Sequence, residues 1–493
     1  MKRRRRQRWL HLLAVVVAFS LVAAACGDDD DAVDTTGAVD TTAAVDTTDT
    51  TAAVATTAAT ETTAATETTE APDTTVEALP YGLLPGKPFD GTELTFLICC
   101  PGAAQFINWA DSVPEFTELT GIDVTFTNDP LGGLRERIVT ESLGGDGAFD
   151  AVIWIDSWGS SLTQFLDPIG DRVAAAGLDL SDYYDASLNA GTYDGELYGL
   201  PTRGHVFMFF YRADVFERLG LDVPSTWDEL IAAAEVIQAD GQMNAITTNL
   251  APQGGDQSLM LWHHLLRGNG TDWLDDDFRP IFNNEAGLEA TQFLTDLVEY
   301  APDGVEAFIE GDLRTSFAQG QAAMAIAWSW SAEIFANPEQ ALPEVIENIG
   351  FSSAIPGPDG PVAPISMAWP VGISAGSNNK DAAFEWIKWM TNPDLELRSI
   401  SDKSDPSKST VVGVRESALT SAEANEANNG LSAAMAESFG NSQNKILFPD
   451  WPEVNAVLQA ALSELATGAD VQSTLDDAAE EIEEILDRLG YYS

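Results

Sequence analysis

Basic side chains are scarce in this chain, and histidine and cysteine are scarcer still. Its 493 residues carry 24 Lys and Arg against 78 Asp and Glu, a formal net charge of −54. Six of the basic residues lie within the first eight positions; without them 18 stand against 78, a net of −60. So acidic a chain repels phosphate backbones and anionic membrane surfaces, which argues against nucleic acid as a partner. It also disfavours anionic ligands unless a local basic pocket exists. The three cysteines are Cys26 and the adjacent pair Cys99 and Cys100. Neighbouring cysteines cannot staple distant segments, so burial must hold the fold. The pair reads as two small thiols at a strand end, with a vicinal disulfide as the alternative in an oxidising location.

Catalytic and metal-binding patterns are missing as well. The histidines are His11, His205, His263 and His264, and there is no H-E-x-x-H, C-x-x-C or phosphate-cradling glycine loop. Helical neighbours point about 100° apart, so His263 and His264 do not easily share a metal. G-I-S-A-G (372–376) matches the nucleophile-elbow pattern of hydrolases. That chain order needs a histidine after the serine, and none follows His264. Carboxylates are so abundant that no pair of them identifies a glycosidase. The expectation is a non-enzyme with no catalytic residues, cofactor or metal.

One long apolar run opens the chain. Arg and Lys residues from Lys2 to Arg8 precede Leu10 to Ala25, the layout of an export signal. The run is short for a stable membrane span. L-V-A-A-A-C (Leu21 to Cys26) resembles a bacterial lipobox, with Ala23 where leucine is commoner, and marks Cys26 as the expected lipidation site. A soluble secreted protein cut near Ala25 is the other reading; the tail that follows favours the anchor. From Asp28 to about Glu77 the sequence is Thr, Ala, Asp, Glu and Val in quasi-repeats such as A-V-D-T-T, without aromatics. Such a segment buries too little apolar surface to offset its ordering entropy and reads as a self-repelling stalk. Residues 1–26 are thus the expected lipoprotein signal and 27–88 a disordered Thr/Ala/Asp-rich stalk.

The remaining 400 or so residues exceed one small core and suggest two lobes. Strand-like L-T-F-L-I-C (94–99), I-D-V-T-F-T (122–127) and D-A-V-I-W-I (150–155) alternate with helix-like runs, one ending at Gly121 and one over 134–143. Strand-helix-strand order with short connections predicts an α/β fold with a parallel sheet, and a ligand crevice beyond the strands' carboxyl ends. Further helices are expected near 226–240, 256–267, 285–300, 381–390, 452–466 and 471–488. Thr226 and Glu229 are spaced as a capping box, and Trp227 there as packing.

Tryptophan supplies the positive signal. In A-V-I-W-I-D-S-W (151–158), Trp154, Asp156 and Trp158 fall on alternate positions at the end of a buried strand. A-M-A-I-A-W-S-W (323–330) repeats the theme with Trp328 and Trp330, and Trp369 lies beside small or polar residues too. Trp386 and Trp389, on an amphipathic helix, read as packing. An indole covers the apolar C–H face of a sugar with large area at little entropic cost. Asp, Asn, Gln and His meet the hydroxyl rim, each charge-assisted bond contributing about 1.5–3 kcal/mol in a dry site.

F-T-E-L-T-G-I-D-V-T-F (116–126), F-D-A-V-I-W-I-D-S-W (149–158), L-Y-G-L-P-T-R-G-H-V-F-M-F-F-Y-R-A-D-V-F-E-R-L-G-L-D-V-P-S-T-W-D-E-L (197–230), F-A-Q-G-Q-A-A-M-A-I-A-W-S-W (317–330) and S-A-G-S-N-N-K-D-A-A-F-E-W-I-K-W-M-T-N-P-D (374–394) carry a resemblance. In this order, behind a lipobox, they resemble family 1 bacterial extracellular solute-binding proteins, the sugar-binding lipoproteins of ABC importers similar to maltose-binding protein. The resemblance implies a type II periplasmic-binding-protein fold, two α/β lobes with a ligand cleft between them. The expected division is 89–204 plus 369–415 for lobe 1 and 205–368 plus 416–493 for lobe 2. It also implies stacking roles for Trp154 and Trp330, and places His205 and Gln257 where the family uses acidic sugar ligands. Asn455 lies near a C-terminal stacking position. Cys100-Pro101-Gly102 replaces the family's Asp-Lys contact, which puts maltodextrin itself in doubt.

The expected ligand-binding set is therefore Trp154, Asp156, Trp158, His205, Gln257, Trp328, Trp330, Trp369 and Asn455. Expected partners are a carbohydrate, the importer's permease subunits and the membrane through the lipid anchor. The receptor itself is read as a monomer, exported to the outer face of the cytoplasmic membrane. A same-fold receptor for a non-sugar solute and a secreted glycoside-active enzyme are the alternatives.

Overall fold

In a computed structural model the described residues are 78–492, apart from 146, 252–256, 359–363, 406 and 445–447. The expected signal, Cys26 and nearly all of the stalk lie outside them.

Strands β1 (Glu93–Ile98), β2 (Asp123–Asn128) and β3 (Ala151–Ile153) run parallel in the order β2-β1-β3. Helices Ala104–Thr120 and Leu131–Gly144 make the crossovers that parallel pairing requires. The first ends at Gly121, whose φ of 77° is the left-handed stop that glycine takes without strain. The third strand is shorter than its apolar run: it stops at Ile153, and helix Asp156–Leu162 begins three residues later.

Strands β4 (Leu166–Asp167), β5 (Thr192–Tyr193) and β6 (Glu196–Leu197) are short; β7 (Gly199–Arg212) is the longest of the chain's described strands. Beyond it come β8 (Asn244–Thr247), β9 (Ala322–Trp328), β10 (Ile349–Ser352), β11 (Ile365–Ser374) and β12 (Gln443–Asn444). The sheet order is β2-β1-β3-β11-β7-β9-β8. It is mixed rather than wholly parallel, because β11 returns between β3 and β7, antiparallel to both.

Strand β7 links two halves of the sheet. Gly199–Val206 pairs with β11, and Phe207–Tyr211 pairs with β9. Its alternation sends Phe207 and Phe209 into one apolar cluster and Val206, Met208 and Phe210 into another. The β7/β11 ladder slips by one residue beside Trp369, because Pro370 faces Pro201 and leaves Thr202 unpaired. Neither proline has an N–H to donate, which is why a bulge settles there. Thr202 Oγ1 instead donates to the Trp369 carbonyl at 2.6 Å.

Helices Trp227–Asp240, Gln257–Gly268, Glu285–Val298, Lys380–Met390, Trp451–Ala466 and Val471–Leu489 lie near their sequence-predicted bounds. Thr226 caps its helix, accepting from the Glu229 N–H at 3.2 Å, while the Glu229 carboxylate takes the Ser225 N–H. Trp227 stacks on Phe293 at 4.2 Å. Trp386 and Trp389 are buried among Phe116 and Phe96, as the amphipathic pattern implied.

The stalk boundary needs correction. Residues 79–84 pack on helix Lys380–Met390: Leu83 is buried and Tyr81 meets the Trp389 ring edge-on. That segment also completes a buried ion pair, Glu385 with Lys388 at 2.7 Å. The Leu84 N–H donates to Glu385 and Lys388 donates to the Gly82 carbonyl. The folded body thus begins before the Phe89 expected from sequence.

Candidate functional site

Along β7, Arg203, His205 and Phe207 share one face by the two-residue period of a strand. Their cross-strand partners are Trp369 for Arg203, Met367 for His205 and Trp328 for Phe207. Cross-strand partners lie on the same face, so β7, β9 and β11 bring two of the expected tryptophans to one place. A third, Trp330, follows just after β9 at the N-cap of helix Ser331–Phe335.

These rings box His205. Its ring centroid lies 6.1 Å from Trp330, 6.4 Å from Trp369 and 6.5 Å from Trp328. Trp328 also leans on Phe207 at 4.1 Å, and Phe207 stacks on His264. The Arg314 guanidinium lies over the Trp330 ring, 4.0 Å from its centroid. Burial, assisted by the Arg203 charge, holds His205 well below the usual imidazole value, so it is neutral at physiological pH.

The polar atoms of this cluster define its chemistry. Arg203 Nε and Nη1, His205 Nδ1, Trp328 Nε1, Trp369 Nε1 and Gln105 Oε1 are all buried and have no hydrogen-bond partner. Gln105 joins the cluster through its amide, which donates to the Thr202 carbonyl at 2.8 Å. Buried polar atoms are nearly always paired, and exceptions gathered in one place point to a ligand. Four of the six atoms donate, one accepts, and His205 does either, which matches the mixed rim of a polyhydroxylated guest.

Sequence reasoning missed Arg203 and Gln105. Arg203 had a readable signal, since L-P-T-R-G-H-V-F sets an arginine and a histidine two apart inside an apolar strand.

Cys99 and Cys100 lie near enough to feel the Arg203 charge, with their sulfurs 2.7 Å apart and both thiols free. The Cys100 hydrogen bond, with burial, drives the Cys99 thiol far up, so it stays protonated.

Trp158 and Asn455 meet elsewhere. They line a cavity of about 270 Å³ with Arg135, Ser157 and Trp451, between helices Asp156–Leu162 and Trp451–Ala466. Trp451, four residues ahead of Asn455, is an aromatic of this cavity that the sequence reading passed over. Asp156 is buried at the head of its helix, Oδ1 accepting from the Ser157 N–H at 2.7 Å.

Trp154 is a correction. It was expected to stack on ligand, but it is fully buried in the core, its indole N–H donating to Tyr193 Oη at 3.0 Å. Gly199 and Gly372 press on the ring edge; a Cβ on either would sit 2.5 or 2.9 Å from it. No face or donor is left for a ligand. Gln257 starts helix Gln257–Gly268, and its side chain lies outside the described residues. Ser374 of the G-I-S-A-G match is buried in β11. Among the described residues no three His, Cys, Asp or Glu gather as metal ligands, and no helix is long and apolar enough to cross a membrane.

Comparison with known proteins agrees with this architecture. Residues 103–396, more than half of the chain, match the family model for bacterial extracellular solute-binding proteins, and the chain belongs to that family. It is 27% identical over 322 residues, 63% of its length and 72% of the other's, to a probable amino-acid ABC transporter periplasmic-binding protein of Sinorhizobium fredii. It is 25% identical over 266 residues, 52% of its length and 60% of the other's, to a mannitol-binding protein of Pseudomonas aeruginosa. Among solved structures, an ABC transporter solute-binding protein from Agrobacterium radiobacter in complex with ribitol superimposes with a TM-score of 0.68. That pair is 25% identical and covers 81% of this chain and all of the other. The fold is that of the periplasmic binding proteins.

Proposed function

We propose that this protein is the solute-capturing receptor of an ABC importer and that it takes a carbohydrate or polyol. The carrying observation is the His205 box: three indoles around a neutral imidazole, with six buried polar atoms left to pair. Indoles cover the apolar face of a sugar ring or polyol chain, and the free donors and acceptors meet its hydroxyls. Relatives named for mannitol and ribitol support the polyhydroxylated class.

The mechanism is capture without chemistry. Residues 79–204 with 369–415 form one lobe and 205–368 with 416–493 the other, with β7 and β11 as the crossing strands between them. Ligand bridging Arg203 and Trp369 on one side to Trp328 and Trp330 on the other favours closure, a hinge motion. Trp158 and Asn455 extend the contact towards a longer guest, their cavity lying between helices of the two lobes, with Asp156 at the head of the helix that carries Trp158. The ligand is then presented to the permease, while Cys26 and the stalk hold the receptor at the membrane.

Calorimetric titration with sugars and polyols tests this reading. Micromolar binding, on the order of −8 kcal/mol, with the solute recovered unaltered, is the expected result. Product accumulating from an oligosaccharide over hours would overturn it in favour of an enzyme.

A further inference from the structure

Three arginines are buried in the described chain, and one is treated unlike the others. Arg212 is gripped by Asp214 through two contacts of 2.8 and 2.7 Å, and Arg415 has carboxylates of Glu396 and Asp182 at 3.5 Å. Arg203 is just as buried, 5% exposed, yet among the described residues no carboxylate oxygen comes within 4.0 Å of its nitrogens. Its neighbours are rings: Trp369 at 5.3 Å and Phe106 at 5.4 Å from the guanidinium carbon. In a chain with 78 acidic residues, a buried guanidinium without one is an exception.

A dry, uncompensated charge is costly, and aromatic faces offset only part of the cost. Ligand hydroxyls satisfy its N–H groups and leave its charge unpaired. A carboxylate satisfies both, through the two-pronged geometry that a guanidinium matches. His205, held neutral, adds no second positive charge to the cluster.

We infer that Arg203 reads an acidic group, so that the ligand class is a carboxylate-bearing carbohydrate such as a uronic or aldonic acid. This rests on the carbohydrate reading above and narrows it: the carboxylate sits on Arg203, the carbon face on the indoles, and the hydroxyls on His205, Gln105 and the tryptophan N–H groups. It is the local basic pocket without which the chain's net charge of −54 disfavours an anion. That same charge repels the ligand at long range, so salt speeds its association.

The test is calorimetry on the full chain with galacturonate, glucuronate and gluconate, each beside its neutral parent galactose, glucose or glucitol, and with a set of amino acids. At least one acid binds 100-fold more tightly than its parent; Arg203→Gln shrinks that ratio to fivefold or less, and Arg203→Lys keeps part of it. Should Arg203→Gln not fold, the wild-type ratio decides. Neutral sugars binding as well as or better than their acids overturn this inference and leave the carbohydrate reading standing. Amino acids binding while no carbohydrate does, or no carbohydrate binding at all, overturn both.

Discussion

Arg203 and Trp369 face each other across β7 and β11, the guanidinium carbon 5.3 Å from the indole centroid, at the step where the ladder slips beside Pro370. Two prolines that cannot donate force the bulge, and the bulge puts a charge and an aromatic face side by side in the strands that cross between the halves of the sheet. The expected behaviour of the site follows from such placements.

Trp330 offers its ring to the His205 box and is backed by Arg314 at 4.0 Å. Trp330→Ala removes a stacking face without emptying the core, since the ring is only partly buried. The expected outcome is at least a tenfold rise in Kd, about 1.4 kcal/mol, with the circular dichroism spectrum unchanged. An unaltered Kd would remove Trp330 from the site.

Trp154 behaves in the opposite way. Trp154→Phe leaves a void beside Gly199 and Gly372 and removes the bond to Tyr193. The loss expected in urea unfolding is about 2 kcal/mol, with ligand affinity kept within threefold. A large affinity loss at full stability would return Trp154 to the binding surface.

Glu385 and Lys388 pair in the interior beneath residues 82–84, with side chains 4% and 2% exposed. Removing one partner strands the other charge, so Lys388→Ala should cost about 3–5 kcal/mol. Replacing both with methionine should cost much less. Equal losses in the single and double variants would contradict the pairing.

The buried histidines set an acid dependence. His264 is lowered to about 3 by burial, with the neighbouring His263 charge adding to it, and His205 is also held well below its usual value. Below pH 6.5 the unfolded chain takes up protons that the native state refuses, so these groups' stabilising contribution is lost as pH falls. From pH 6.5 to 5 the loss is roughly 1.6 kcal/mol for His264. His264→Phe, which keeps a ring against Phe207, should flatten that part of the profile. An identical pH slope in the variant and parent proteins would show that His264 titrates normally.

Much of this was legible in the sequence where local pattern decides. Helix ends at Gly121 and Thr226 and the apolar runs of β7 and β9 follow from residue type and period alone. The site was legible only in part, because similar strand ends were sorted by distant partners. Trp154 looked like Trp328, yet Gly199 and Gly372, remote in sequence, close around it and turn it into core. The slot of β11 beside β3 was likewise invisible, since strand order depends on the return path of the chain. Residues 79–84 were counted with the stalk because they precede the first strand-like run; a buried ion pair far along the chain recruits them.

The most direct test follows tryptophan emission of the full chain while acidic and neutral saccharides are titrated in. A saturable change with a micromolar midpoint, lost when Trp328, Trp330 and Trp369 are all replaced by phenylalanine, is the predicted result. A change that survives in that folded triple variant would contradict the account, as would a response to amino acids with none to any saccharide.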